Sequence, residues 1–202
     1  MNFKVQTINR HRMLTDGEGV TTLIALYGCP LDCDYCINKD LLQNRSWKEF
    51  TKEELLTVIM QDYCYFVATN GGITFGGGES LLHAEAIEEL ISILPDHVNV
   101  TIETSLCVEQ EKLVPLLEPV RQFIIDVKTW NPVIYQAYTH HSNELVIENL
   151  KYIAERQLQS KCKIRVPRIP AFTNEEDVQT TIIKLQDMGF QWIDVFEYVI
   201  KK

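Results

Sequence analysis

Cys29, Cys33 and Cys36 stand in a Cys-x-x-x-Cys-x-x-Cys arrangement directly after the apolar run at 22–27. Thiolates are soft ligands suited to iron–sulfur clusters and zinc. A [4Fe–4S] cluster with a full set of cysteine ligands uses four. Three thiolates on one short loop therefore hold three irons and leave the fourth with an open position, the feature that separates a reactive metal site from a closed structural one. A zinc loop completed by a distant fourth ligand is the alternative on these residues alone. The remaining cysteines, Cys64, Cys107 and Cys162, lie singly in apolar surroundings and are expected as small buried side chains.

Further polar residues follow other apolar runs. Gly76-Gly77-Gly78-Glu79, Glu103-Thr104-Ser105, Asp126-Val127-Lys128 and Arg165-Val166-Pro167-Arg168 each close a short β-branched stretch. A glycine triplet allows a turn with positive φ, or lets a backbone edge approach a small polar ligand. Carboxylates beside apolar strands are costly to bury unpaired. Glu103 and Asp126 therefore either pair with Lys128, Arg165 or Arg168, or bind a cationic ligand or a metal ion. An iron with an open site takes an amine and a carboxylate, and a glycine edge offers carbonyls to that amine. Tyr35 can lie against an aromatic base, and Asp126 and Lys128 can bond ribose hydroxyls. Together these make a binding inventory for S-adenosylmethionine. His83, His97, His140 and His141 show no such grouping and are expected at the surface or at helix ends, with Tyr138 and Trp130 as packing residues.

The elements that must position these groups alternate. Strands are expected at 21–27, 72–75, 98–103, 123–127, 162–166 and 192–196. Thr51-x-x-Glu54 and Thr173-x-x-Glu176 have the form of capping boxes. The first precedes Leu55, Ile59, Tyr63 and Phe66 on one helical face, and the second precedes Val178, Ile182 and Leu185 with Gly189 as the stop. Ile87, Leu90, Ile91 and Leu94 mark another helix closed by Pro95, and Val146, Leu150 and Ile153 a further one. A shorter helix at 109–117 is interrupted by Pro115. Strands alternating with helices imply a parallel sheet with right-handed crossovers. A full (β/α)₈ barrel takes about 250 residues. At 202 residues, the expectation is an α/β fold, a partial (β/α)6 TIM-type barrel with a parallel sheet. A doubly wound sheet is the alternative. In either architecture the polar groups at the strand ends would gather on one face.

Composition sets bounds. A net charge of −9 argues against a nucleic-acid backbone as the main partner. The start of the chain has no signal-peptide pattern and no apolar run reaches membrane-spanning length, so a cytoplasmic protein with no membrane partner is expected. Without a linker or repeat, residues 1–202 are expected to form one domain.

The chain resembles the radical S-adenosylmethionine superfamily, and within it the glycyl-radical-enzyme activating enzymes, the pyruvate formate-lyase activase group. The matching segments begin at Asp16-Gly17-Glu18-Gly19 and the cysteine loop through Asn38. They continue through Gly71 to Glu79, Ile102-Glu103-Thr104, Asp126-Val127-Lys128 and Arg165 to Asn174. The resemblance implies a radical core domain in which Cys29, Cys33 and Cys36 ligate one [4Fe–4S] cluster. It implies that Gly77, Gly78 and Glu79 receive the amine of S-adenosylmethionine, that Tyr35, Cys36 and Ile37 flank its adenine, and that Asp126, Lys128 and Arg165 hold the cofactor. Glu103, Thr104 and Asp126 are positions for a monovalent cation beside it. The implied partners are a glycyl radical enzyme and an electron donor such as flavodoxin or ferredoxin. Glu18 stands where many activases carry proline, Thr21 where arginine is expected, and Ile37 at a position often occupied by histidine. Two further functions stay open on the sequence: a small radical enzyme acting on a metabolite, peptide or nucleotide, and a non-enzymatic iron–sulfur or zinc module.

Overall fold

A computed structural model describes residues 2–13 and 15–198. In chain order the strands are β1 (Phe3–Met13), β2 (Val20–Leu26), β3 (Lys48–Phe50), β4 (Gly72–Gly77), β5 (Asn99–Thr104), β6 (Gln122–Asp126), β7 (Cys162–Arg168) and β8 (Ile193–Glu197). The helices are α1 (Lys39–Gln43), α2 (Lys52–Ile59), α3 (Tyr63–Thr69), α4 (Ala84–Ile91), α5 (Gln110–Leu113), α6 (Pro132–Thr139), α7 (Glu144–Glu155) and α8 (Glu175–Asp187).

The described residues form an eight-stranded sheet in the order β3-β1-β2-β4-β5-β6-β7-β8. From β2 to β8 every neighbouring pair is parallel. These are the six strands expected from the sequence, and they form a partial barrel that is not closed. Two strands were not anticipated, and both are antiparallel: β1 pairs with β2 and with the short β3. Of the parallel strands, β4 and β6 are buried along nearly their whole length, as strands covered on both faces are. Phe75, Ile102, Ile125 and Ile164 are fully buried on successive strands, and Leu55, Phe66, Leu90, Leu150 and Leu185 close over the sheet from the helices.

Caps and breaks place the helices. Thr51 and Glu54 form the expected capping box on α2. The expected continuous face through Tyr63 and Phe66 is interrupted by a 3₁₀ turn at Met60–Asp62. Asp62 is wholly buried there, accepting from Arg10 Nε at 2.9 Å and Thr22 Oγ1 at 2.7 Å, with His11 Nε2 at 2.9 Å. This ties the turn to β1 and β2. α4 ends at Ile91 and tightens into i→i+3 turns, with the Ile93 amide donating to Leu90 at 3.1 Å and the Leu94 amide to Ile91 at 3.2 Å, before Pro95 stops it. The cap of α8 is Asn174 with Asp177, one residue later than the Thr173–Glu176 pattern. Thr173 instead accepts from the Ile169 amide at 2.8 Å, closing the turn after β7. Asn131 and Pro132 start the unanticipated α6. Among the described residues no helix is long and apolar enough to cross a membrane.

Candidate active site

The cysteine loop leaves the C-terminal end of β2 and rests on the last turn of α6. The Asp32 amide donates to the Thr139 carbonyl at 3.1 Å and the Asp34 amide to the Tyr138 carbonyl at 3.2 Å. His140, the αL cap of α6, meets Asp34 Oδ1 through Nε2 at 3.0 Å. Within the loop the Cys36 amide donates to the Cys33 carbonyl at 3.1 Å. The three cysteines are free thiols that line one recess of about 170 Å³. Burial pushes the Cys29 thiol up to about 12 and the Cys33 thiol up to about 11, the latter against the opposing charge of Lys128. Among the described residues no three His, Cys, Asp or Glu side chains are arranged to hold a metal ion, so the thiols line the recess without converging.

The glycine segment ends β4 alongside that loop. Gly77 has φ +91°, in the region that favours glycine, and a Cβ on Gly78 would overlap the Gly28 carbonyl. The close approach lets the Gly78 amide donate to Leu26 at 3.0 Å and the Glu79 amide to Gly28 at 2.7 Å. Asn38, just past the cysteines, donates through Nδ2 to the Gly77 carbonyl at 2.7 Å. A carbonyl has two lone pairs, so one remains for an amine. The Glu79 side chain, 1% exposed, points the other way. It accepts from Thr104 Oγ1 at 2.6 Å, the Ser105 hydroxyl at 2.6 Å, the Ser105 amide at 2.8 Å and the Leu81 amide at 3.2 Å. Burial raises its pKa, and the Ser105 and Thr104 hydroxyls partly oppose that. Thr104 is thereby turned away from Glu103, its neighbour on the strand. The structure does not bring the Thr104 hydroxyl into a shared cation site with Glu103 and Asp126.

The remaining charged groups meet at the ends of β5, β6 and β7. Lys128 Nζ donates to Asp126 Oδ2 at 2.9 Å, and Arg165 lies 3.4 Å from Asp126 Oδ1 and 3.6 Å from Glu103 Oε1. The Arg165 contact falls outside hydrogen-bond geometry, leaving Asp126 Oδ1 buried without a hydrogen bond. Burial alone would raise the Asp126 carboxyl, but Lys128 and Arg165 outweigh it and hold the carboxyl below its ordinary value. Burial opposes the charge on Lys128, and Asp126 restores it, so the ammonium is held more firmly than usual. Glu103 is raised, chiefly by burial and then by Asp126. Arg168 does not join this group; it pairs with Glu175 at 3.1 Å and Glu197 at 3.5 Å.

A cavity of about 630 Å³ opens beside these residues, lined by Gly77, Glu103 and Arg165 together with Ile37, Asn38 and Phe196. Its size is that of a cofactor pocket. Ile37 is 60% exposed on its rim. Tyr35 is half-buried against Tyr138, Phe172 and Tyr198, with ring centroids 5.8 to 6.3 Å away. Sequence reasoning missed Asn38 and Ser105, whose side chains carry no motif by themselves. The contacts of Asp34 and His140 were missed because only the fold brings them together. Cys107 and Cys162 are buried as expected, whereas Cys64 is exposed, a correction explained by its place on the outer face of α3.

A thiol triplet and a glycine edge at the mouth of a partial α/β barrel define a cluster-and-cofactor scaffold. The model of the radical SAM superfamily matches residues 23–182, and the chain belongs to that family. It is therefore an enzyme that does radical chemistry, with a [4Fe–4S] cluster and S-adenosylmethionine as the family's cofactors. Its relatives include the choline trimethylamine-lyase activating enzyme of Oleidesulfovibrio alaskensis, 26% identical over 97% of this chain and 82% of that protein. The pyruvate formate-lyase 1-activating enzyme of Escherichia coli is 28% identical over 80% of this chain, which spans 66% of that protein. Among solved structures, Streptococcus suis SuiB bound to the precursor peptide SuiA has a TM-score of 0.68 at 17% identity. That match covers 89% of this chain and 41% of SuiB. The residues present fit the family's cofactors: three soft donors line one recess, and Asp126 Oδ1 is a buried acceptor without a hydrogen bond.

Proposed function

We propose that this chain installs a glycyl radical on a partner enzyme, receiving its electron from a protein donor of the flavodoxin or ferredoxin kind. When bound, the reduced cluster and S-adenosylmethionine together supply a 5′-deoxyadenosyl radical, with methionine as the other product. In this reading Cys29, Cys33 and Cys36 hold the cluster, and Gly77, Gly78 and the Glu79 backbone line the amine end of the cofactor. Tyr35, Cys36 and Ile37 flank the adenine, while Asp126, Lys128 and Arg165 hold the polar middle. Glu103 supports Arg165, and Glu79 with Thr104 fixes the loop beneath. Residues 1–202 act as one radical core.

The observation that carries the reading is a large cavity at the mouth of a barrel left open along one side, next to the cysteine recess. An open side suits a substrate delivered on a protein loop, and the relatives named above are activating enzymes. The test is anaerobic reconstitution with iron and sulfide, then reductant and S-adenosylmethionine, with and without a genomically neighbouring glycyl radical enzyme. Expected are 5′-deoxyadenosine, methionine and a glycine-centred radical in the partner by electron paramagnetic resonance. Zinc uptake with no iron would overturn the reading. Cofactor cleavage that modifies a small molecule and leaves no radical on a partner would replace the substrate.

A further inference from the structure

Asn38 is the N-cap residue of α1, a place where an asparagine side chain normally accepts a hydrogen bond from the first helical turn. Here it makes no bond to the helix it precedes. The carboxamide reaches across the site instead, and Nδ2 donates to the Gly77 carbonyl at 2.7 Å. The backbone of Asn38 belongs to the turn that follows the last cysteine. The Lys39 amide donates to the Cys36 carbonyl at 3.1 Å, and the Leu42 amide to the Asn38 carbonyl at 3.0 Å. Asn38 is therefore carried by the cysteine loop, while its side chain holds the end of β4. At that end Gly77 has φ +91°, and the Gly78 and Glu79 amides are committed to the Leu26 and Gly28 carbonyls. Glycine backbone is permissive, so the direction of the Gly77 carbonyl needs a restraint from outside, and the Asn38 amide supplies one. Asn38 and Gly77 both line the cavity of about 630 Å³.

We propose that Asn38 is a positioning residue for S-adenosylmethionine: by donating to the Gly77 carbonyl, it holds that carbonyl's second lone pair toward the cofactor's amine. The inference rests on the cofactor reading above and deepens it. An ammonium group has three donors and no acceptor, so its binding depends on where carbonyl oxygens point. A hydrogen bond from a charged donor is stronger than a neutral one, and a carbonyl turned out of line forfeits it. The same bond ties the glycine edge to the turn after Cys36, so the amine site and the cysteine recess keep their spacing.

The experiment is anaerobic calorimetry on reconstituted parent and Asn38→Ala proteins, each titrated with S-adenosylmethionine and with an analogue lacking the amine. Alanine removes the donor and leaves the three thiols in place, so iron content should match the parent. S-adenosylmethionine should bind the variant about tenfold more weakly, whereas the analogue should change by less than about twofold, because only the amine uses the carbonyl. Equal losses for the two ligands would make Asn38 a merely structural residue and overturn the proposal. Unchanged affinity for S-adenosylmethionine overturns it as well. Hydrogen exchange of the iron-free proteins gives a second readout that does not depend on cluster assembly. Faster exchange is expected at residues 76–79 of Asn38→Ala, with β5 to β7 unchanged. No change at 76–79 overturns the proposal, and so does faster exchange across the whole sheet, which would make Asn38 a general support of the fold. A parent that holds iron yet binds no S-adenosylmethionine would sink the cofactor reading itself, a distinguishable failure.

Discussion

Single side chains divide into those that would touch the cofactors and those that fix the frame. Alanine at Cys29, Cys33 or Cys36 should abolish cluster absorbance and iron retention, while Cys64→Ala should keep both, since Cys64 lies exposed on α3. Iron analysis after anaerobic reconstitution decides this. Asp126 belongs to both groups. Losing one partner of a buried charged contact costs about 1–3 kcal/mol, so Asp126→Ala should weaken S-adenosylmethionine binding by roughly 5- to 150-fold at unchanged iron content. Equal binding by calorimetry would instead leave Asp126 as a purely structural partner of Lys128. The same carboxyl predicts an acid limb. Its folded value lies below the ordinary one, so its contribution to stability is complete above about pH 3.9 and is lost as pH falls through the lower folded value. Asp126→Asn should flatten that part of a urea-stability profile below pH 4.

At the scale of elements, the loop after β5 shows how helices hold a site they do not form. Asn149 on α7 donates through Nδ2 to the Leu106 carbonyl at 2.9 Å and the Val108 carbonyl at 2.8 Å. Leu106 is buried with φ +59°, an uncommon backbone for a leucine that this clamp helps to hold. Asn149→Ala leaves two carbonyls unpaired and should cost about 1–3 kcal/mol in chemical denaturation. A change under a few tenths would show that water replaces the amide. β4 and β6 were legible because burial on both faces makes them near-continuous apolar runs, and β7 and β8 because they alternate apolar with polar residues. β1 was not, because only Phe3 and Val5 of its eleven residues are buried and its outer part is polar. β3 has three residues, too few for any period. At α8 the Thr173 and Asn174 registers both satisfy the capping pattern, and only the competing bond from Ile169 decides between them. In the site, the cysteines, glycines and Asp126–Lys128 were legible as residue types at fixed spacing. The commitment of Glu79 to Thr104 and Ser105 was not, since it depends on β4 and β5 lying side by side.

For the molecule as a whole, stability is expected to be graded across the sheet. β4, β5 and β6 have partners on both sides and buried faces, whereas β3 and β8 end the order. Native-state hydrogen exchange should find the slowest amides in β4 to β6 and faster ones in β8. Equal protection in β8 and β5 would mean that the open side is closed in solution. The attachment of the cysteine loop to α6 has a consequence for biogenesis. The amides of Asp32 and Asp34 bond to carbonyls made about a hundred residues later in the chain. With synthesis at roughly 5–20 residues per second, the thiols emerge seconds before the helix that shapes their loop. The ligands are thus made early and arranged late, and a loop shaped to receive iron and sulfide exists only once α6 has been synthesised.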